Sequence, residues 1–146
     1  MALTAHVFPQ FQQKMGKKAV DLSADTLKVM LLSAFTYADS MVTIADVKAA
    51  GTECPATGGY SAGGIALVSP TIVTAAKVTT ITTATNPSWA ASTISAAYAV
   101  FYDAAGGTDS TNFPFAYWDF GGTDSSTAAA FTLTVSGSGI VTITAT

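Results

Sequence analysis

From Phe131 onward the chain reads FTLTVSGSGIVTITAT, with apolar and polar residues alternating on both sides of Gly-Ser-Gly. Alternation with a period of two puts Phe131, Leu133 and Val135 on one face and Thr132, Thr134 and Ser136 on the other. Val141, Ile143 and Ala145 then oppose Thr142, Thr144 and Thr146, and Gly137–Gly139 reads as the turn between two strands. A helix would scatter these apolar residues around its axis, so this pattern commits the chain to sheet.

The same reading extends upstream. Strands are predicted near Ile65–Ser69, Thr71–Ala75, Lys77–Thr83, Ile94–Asp103, Phe115–Phe120, Ala130–Ser136 and Ile140–Thr146. Their β-branched and aromatic residues suit a pleated, half-buried surface. Thr26–Phe35 (TLKVMLLSAF) is apolar at both parities, as in a strand covered on both sides. Two short helices complete the list. Pro9–Ala19 begins with a proline suited to a first turn and places Phe11 and Met15 four apart. Thr43–Ala50 is followed by Gly51, read as a C-cap. The expected fold is therefore mainly β: an antiparallel β-sandwich or jelly-roll-like single domain over residues 1–146. Residues 1–24 would form a helical segment packing on it.

Charge narrows the function. Only 10% of the residues are charged, arginine is absent, and the net charge is −3. Nucleic-acid binders neutralise phosphates with clustered Lys and Arg, so nucleic acid is not an expected partner. Lys14, Lys17 and Lys18 hold half of the lysines. A surface of Thr, Ser, Ala and Gly suits permanent packing against protein, because little charge must be desolvated. No apolar run approaches the roughly 20 residues of a transmembrane helix, and the N-terminus lacks a secretory signal pattern. A lone cysteine, Cys54, fits folding in a reducing cytoplasm.

Four motifs raise the question of chemistry. GGTDS occurs at Gly106–Ser110 and Gly121–Ser125, both between expected strands. Gly supplies the positive φ of a reversal, and Asp or Ser bonds to the backbone two residues on, so both copies read as turns. Calcium at Asp103, Asp109 and Asp124 is the alternative, but it needs about six to eight oxygen ligands. GYSAG (Gly59–Gly63) matches a serine-nucleophile elbow, with Ser61 as nucleophile and His6, the only histidine, as base. That elbow requires a strand before it and a helix after it, and neither is expected here. Cys54 as nucleophile also depends on His6, and two His/Cys residues are too few for zinc. Asp103 and Asp119 form a possible carboxylate pair for glycoside hydrolysis. No catalytic residue, cofactor or metal is expected.

Aromatic residues crowd Tyr98–Phe120. A sugar-stacking platform is one reading, and core plus subunit contact is the favoured one. Tyr98, Tyr102 and Trp118 are then the candidate interface anchors, with Lys14, Lys17 and Lys18 as a further candidate contact.

In order along the chain come DTLKVMLL (Asp25–Leu32), DVKAAGTECPATGGYSAGGIAL (Asp46–Leu67), SWAASTISAAYAVFYD (Ser88–Asp103), FAYWDFG (Phe115–Gly121) and FTLTVSGSGIVTIT (Phe131–Thr144). This series resembles a family of small tailed-bacteriophage virion proteins of the capsid decoration or head-fibre type. Relatives carry DV…GTGYTAGG, W…STITARYAVIYD, IAYIDFG and FTI…GIL. Ala97 departs from the pattern where they often have arginine, as does the Cys-Pro of the loop. The resemblance implies a capsid decoration (cement) protein, made in the host cytoplasm and bound to the outer surface of the icosahedral head. It implies the major capsid protein as partner and a homo-oligomer, with a trimer favoured. The alternatives are a glycan- or receptor-binding module of a head or tail fibre, a tail-tube or tail-completion protein and, last, an enzyme.

Overall fold

A computed structural model describes residues 3–145. The chain is mainly β, with antiparallel sheets, two short helices and a sandwich-like arrangement. In order the elements are β1 (Thr4–Val7), α1 (Pro9–Gly16), β2 (Leu27–Phe35), α2 (Ile44–Ala49), β3 (Gly51–Glu53), β4 (Ile65–Ala66), β5 (Thr71–Ala75), β6 (Val78–Thr82), β7 (Ser88–Ser92), β8 (Ser95–Asp103), β9 (Phe113–Ser125), β10 (Ala129–Thr132) and β11 (Val141–Thr144).

The large sheet runs β1-β9-β8-β2-β3, with β4 also paired to β2. Its central strands are the ones apolar at both parities. Val29, Met30, Leu31 and Leu32 of β2 are fully buried, as are Ala99, Val100 and Phe101 of β8. Burying both faces demands cover on each side. Phe8 and Phe35 close around Tyr117 on one. Elsewhere Phe101 meets Trp118 edge-on at 5.0 Å, and the Trp118 indole N–H donates to the Ile140 carbonyl at 2.7 Å. That bond ties the large sheet to the segment entering β11, whose sheet runs β11-β6-β5. A two-stranded sheet, β10-β7, completes the cover through Phe120 against Phe131 and Trp89 against Tyr60.

Several expectations are corrected. Thr4–Val7 is strand, not part of a helical segment, and pairs with β9 from Asp119 to Ala116. Phe11 is buried but Met15, one turn further along the same helix, is exposed, and α1 ends at Gly16 rather than Ala19. Gly51 does not cap α2. It opens β3 opposite Phe35, where a Cβ would meet the Ala34 carbonyl oxygen at 2.8 Å. The cap of α2 lies at its start: the Thr43 hydroxyl accepts from Asp46 N–H while the Asp46 carboxylate accepts from Thr43 N–H.

The last two strands do not form a hairpin. Ser136–Gly139 does turn, but β10 pairs with β7 and β11 with β6. The cause is packing: Phe131 sits edge-on to Trp89, and Ile140 N–H donates to the Ile81 carbonyl. The second GGTDS copy is strand as well. Between Ala96↔Asp124 and Tyr98↔Asp119 the β9 side carries extra residues, forming a bulge. Gly121, at φ +72°, makes that bend, and its N–H donates to the Asp119 carboxylate at 2.8 Å.

Candidate functional site

The GYSAG segment is a turn braced from beneath. Ser61 is exposed, and its carbonyl accepts from Gly64 N–H at 2.9 Å. The residue that matters mechanically is Tyr60. Its hydroxyl accepts from Leu31 N–H at 3.1 Å and donates to Glu53 Oε1 at 2.9 Å. It thereby fills the ladder gap on β2 between β3 and β4. Gly63 N–H also donates to Glu53 Oε1, and the Tyr102 hydroxyl donates to the Gly63 carbonyl at 2.7 Å. Gly64 has φ +70°, and a Cβ there would run into the Val29 carbonyl. Gly64, just past the motif, therefore serves close approach to β2, while a Cβ at Gly59 would meet Ser92 of β7.

His6 lies on β1 and Ser61 beside β4, at opposite edges of the large sheet. The imidazole stacks on Tyr117 at 4.7 Å. Serine and histidine are not brought together. Cys54 is buried, its thiol donating to the Ser95 carbonyl at 3.3 Å. Burial, with the Glu53 charge second, pushes that thiol up to about 11, the reverse of an activated nucleophile.

The four aspartates disperse too. Lys48 Nζ bridges Glu53 Oε2 at 3.1 Å and Asp109 Oδ2 at 2.9 Å. Burial works against the charge on Lys48, but the bonds to Asp109 and Glu53 outweigh it and hold the ammonium above its ordinary value. The loop bearing the first GGTDS is thus docked on α2, where Ala45 N–H donates to the Asp109 carbonyl and Ile44 N–H to that of Asn112. Asp124 pairs with Ala96 at the far end of β9. The two GGTDS copies consequently sit at opposite ends of that strand.

Asp119 faces Tyr98. Asp103 is five residues further along β8, about 17 Å at a strand's rise, so these two carboxylates form no catalytic pair. Asp103 is instead 2% exposed and accepts from Ala105 N–H at 2.8 Å. It borders a groove of about 390 Å³ lined by Lys18, Asp21 and Asp25. Burial first, and the neighbouring Asp25 carboxylate after it, raise its carboxyl to about 6.

The aromatic anchors need correction. Tyr102 and Trp118 are 3% and 2% exposed. Both are buried within the chain, because both faces of β8 and β9 are covered, so they have no side-chain surface to offer a partner. Tyr98 is half-buried and edge-on to Phe35. A continuous stack of His6, Tyr117 and Tyr37 runs nearby, with the Tyr37 hydroxyl bonded to Asp39 at 2.6 Å. Lys14 lies over the Phe113 ring at 4.7 Å, while Lys17 and Lys18 are exposed.

The surface that sequence reasoning missed lies on the small sheets. Every residue of β5 is exposed, with Ile72 at 39% and Val73 at 57%, and Val68 nearby is 52% exposed. Pairing of Val73 with Thr80 and of Ala75 with Val78 places Thr71, Val73, Ala75, Val78, Thr80 and Thr82 on one face. None of them is ionisable. The signal was in the chain: between Cys54 and Tyr102 the only charged side chain is Lys77, and after Asp124 there is none. Strands β5, β6, β7, β10 and β11 all come from these two stretches.

Compared with models of known protein families, with curated protein sequences and with solved structures, the chain has no significant match.

Proposed function

We propose that this chain is a structural protein of a tailed-phage virion, a decoration protein that binds the major capsid protein on the outer surface of the icosahedral head as a homo-oligomer. The observation that carries this reading is the charge-free outer face of β5, β6 and β11, half of the apolar Val73 side chain standing in solvent. Docking such a face on a large protein surface desolvates no ion. Side chains offered for catalysis are turned inward or dispersed, as Asp103, Cys54 and Ser61 are. The order of sequence motifs points the same way.

Repetition over many shell sites converts modest affinity per copy into avidity. An electron-microscopy map of the virion at side-chain resolution tests the reading. The expected result is this chain on the head exterior with the β5-β6-β11 face toward the shell; a location in the tail, or absence from the particle, overturns it.

One observation favours a second reading, the glycan-binding module. The His6–Tyr117–Tyr37 stack lies beside half-buried Tyr98, with Asp39 and Asp119 at its borders. Aromatic rings with flanking acids suit the apolar faces and hydroxyls of sugars. Saturable hits on a glycan array, lost in Tyr37→Ala, would favour that role over cementing.

A further inference from the structure

Strand β5 is the free edge of the β11-β6-β5 sheet, and its backbone is regular. All five residues pair one-to-one with β6, from Thr71↔Thr82 to Ala75↔Val78, without a shift. Its other edge therefore presents unspent N–H and C=O groups in strand geometry, and among the described residues no strand pairs there. Monomeric proteins blunt such edges with charges, internal proline or bulges. Here Thr71–Ala75 contains none of these, Pro70 lying just before the strand and Lys77 just after it.

We propose that β5 is a self-association strand, pairing antiparallel with β5 of a second copy across a two-fold axis. Two three-stranded sheets then become one of six. The occupant follows from the chemistry of the edge. Thr, Ile, Val, Thr and Ala offer no charge for a foreign partner to read, but they can face themselves without repulsion. Antiparallel pairing also sets the two Lys77 side chains at opposite ends of the joint, about 25 Å apart at a strand's rise. Parallel pairing would set them side by side.

A two-fold contact is isologous and closes on itself, so it yields a dimer rather than the trimer expected from the sequence resemblance. A strip about 17 Å long and about 10 Å thick is small beside the roughly 800 Å² per partner of a standard interface. The dimer is accordingly concentration-dependent. This deepens the assembly reading by naming its homotypic contact. The pairing uses the edge, so the charge-free face stays open and is doubled.

The test uses the isolated chain, so its failure leaves shell binding untouched, and an empty shell surface leaves the dimer untouched. Sedimentation equilibrium is run from about 1 μM to about 300 μM, a range spanning weak association. The expected mass rises from 14.8 kDa toward twice that value. Val73→Lys, at a side chain already 57% exposed, is expected to weaken association at least tenfold with the circular dichroism unchanged. Because native Cys54 is buried, Thr71→Cys, Val73→Cys and Ala75→Cys are clean reporters. At least one is expected to form disulfide-linked dimers on mild oxidation, and exposed Thr127→Cys is not. A monomer at every concentration, a trimer mass, or a dimer indifferent to Val73→Lys overturns the proposal. Should Val73→Lys unfold, the cross-linking pattern decides alone.

Discussion

Replacing Asp103 with asparagine should stabilise the protein at neutral pH. In the fold Asp103 is 2% exposed and its carboxyl titrates at about 6 rather than 3.8, burial being the main cause and Asp25 the next. A folded-state value above the unfolded one means that the native protein binds the proton more tightly. The contribution of Asp103 to stability is therefore present in full at acid pH, declines as pH rises from about 4 to about 6, and is lost above that. At about 1.36 kcal/mol per pH unit, the rise from 3.8 to about 6 is worth at most about 3 kcal/mol.

Asparagine keeps an oxygen to accept from Ala105 N–H, turns an amide toward Asp25, and never ionises. The variant should gain about 1–3 kcal/mol at pH 7.5, which for a chain of this length raises Tm by several degrees, about 2–4 °C per kcal/mol. Asp21 and Asp46 titrate below the ordinary carboxylate range, held there by hydrogen bonds from Ser23 and from the Val42 and Thr43 N–H groups respectively. Their contribution is present above the unfolded value and lost as pH falls, opposite in sign to that of Asp103, and it is common to wild type and variant, so the comparison between the two cancels it. Thermal unfolding at closely spaced pH values is the assay. The wild type should lose Tm between pH 4 and 6 relative to Asp103→Asn. A variant that is less stable at pH 7.5, or that keeps the wild-type slope, refutes the argument.

Tyr60→Phe leaves the Leu31 N–H without an acceptor between β3 and β4 and takes a donor from Glu53. Chemical denaturation should register a loss of about 1–3 kcal/mol, the cost of a buried group left unpaired, whereas Ser61→Ala beside it should be neutral. Cys54, with its thiol pushed up to about 11, should resist a disulfide reagent at pH 8 in the native protein and react at once in denaturant. Fast labelling of the folded chain would contradict the buried Sγ–Ser95 contact.

What could be read from the sequence was set by how each strand is buried. β2 and β8 announced themselves because they are apolar at both parities, β5 and β6 through their β-branched residues, and α2 as a short run from Thr43 to Ala50 closed by Gly51. β7 was missed because SWAAS holds one large apolar residue, Trp89, whose reason for burial is Phe131 more than forty residues away. β1 and β3 are edge strands of four and three residues, recruited by neighbours they have no local pattern to indicate. The second GGTDS has turn composition yet is held in strand, since the bend it makes is a bulge against β8. The burial of Tyr102 and Trp118 is not legible in the sequence, because large side chains at both parities fit one open face as well as two covered ones, and here both are covered.

The scarce charges account for where the protein can be sticky. Most of them have work on the large sheet, its helices and its loops. Asp46 caps α2, Lys48 joins Glu53 to Asp109, Asp119 holds the β9 bulge, Asp103 braces its own loop, and Lys14 rests on Phe113. Each of these positions an element locally, and at all of them but Asp103, whose buried carboxyl is held toward its neutral form, the ion itself strengthens the contact. The small sheets lack helices to cap and loops to dock, so nothing in their construction requires an ion. The two sides of the molecule thus differ in what they can tolerate at a contact. Burying the large-sheet flank would desolvate ions already committed to holding the fold, while burying the β5-β6-β11 flank sacrifices no such bond. An assembly built from this chain is therefore expected to meet its neighbours through the small sheets, and Val73→Lys tests that asymmetry because it puts one charge where the fold uses none.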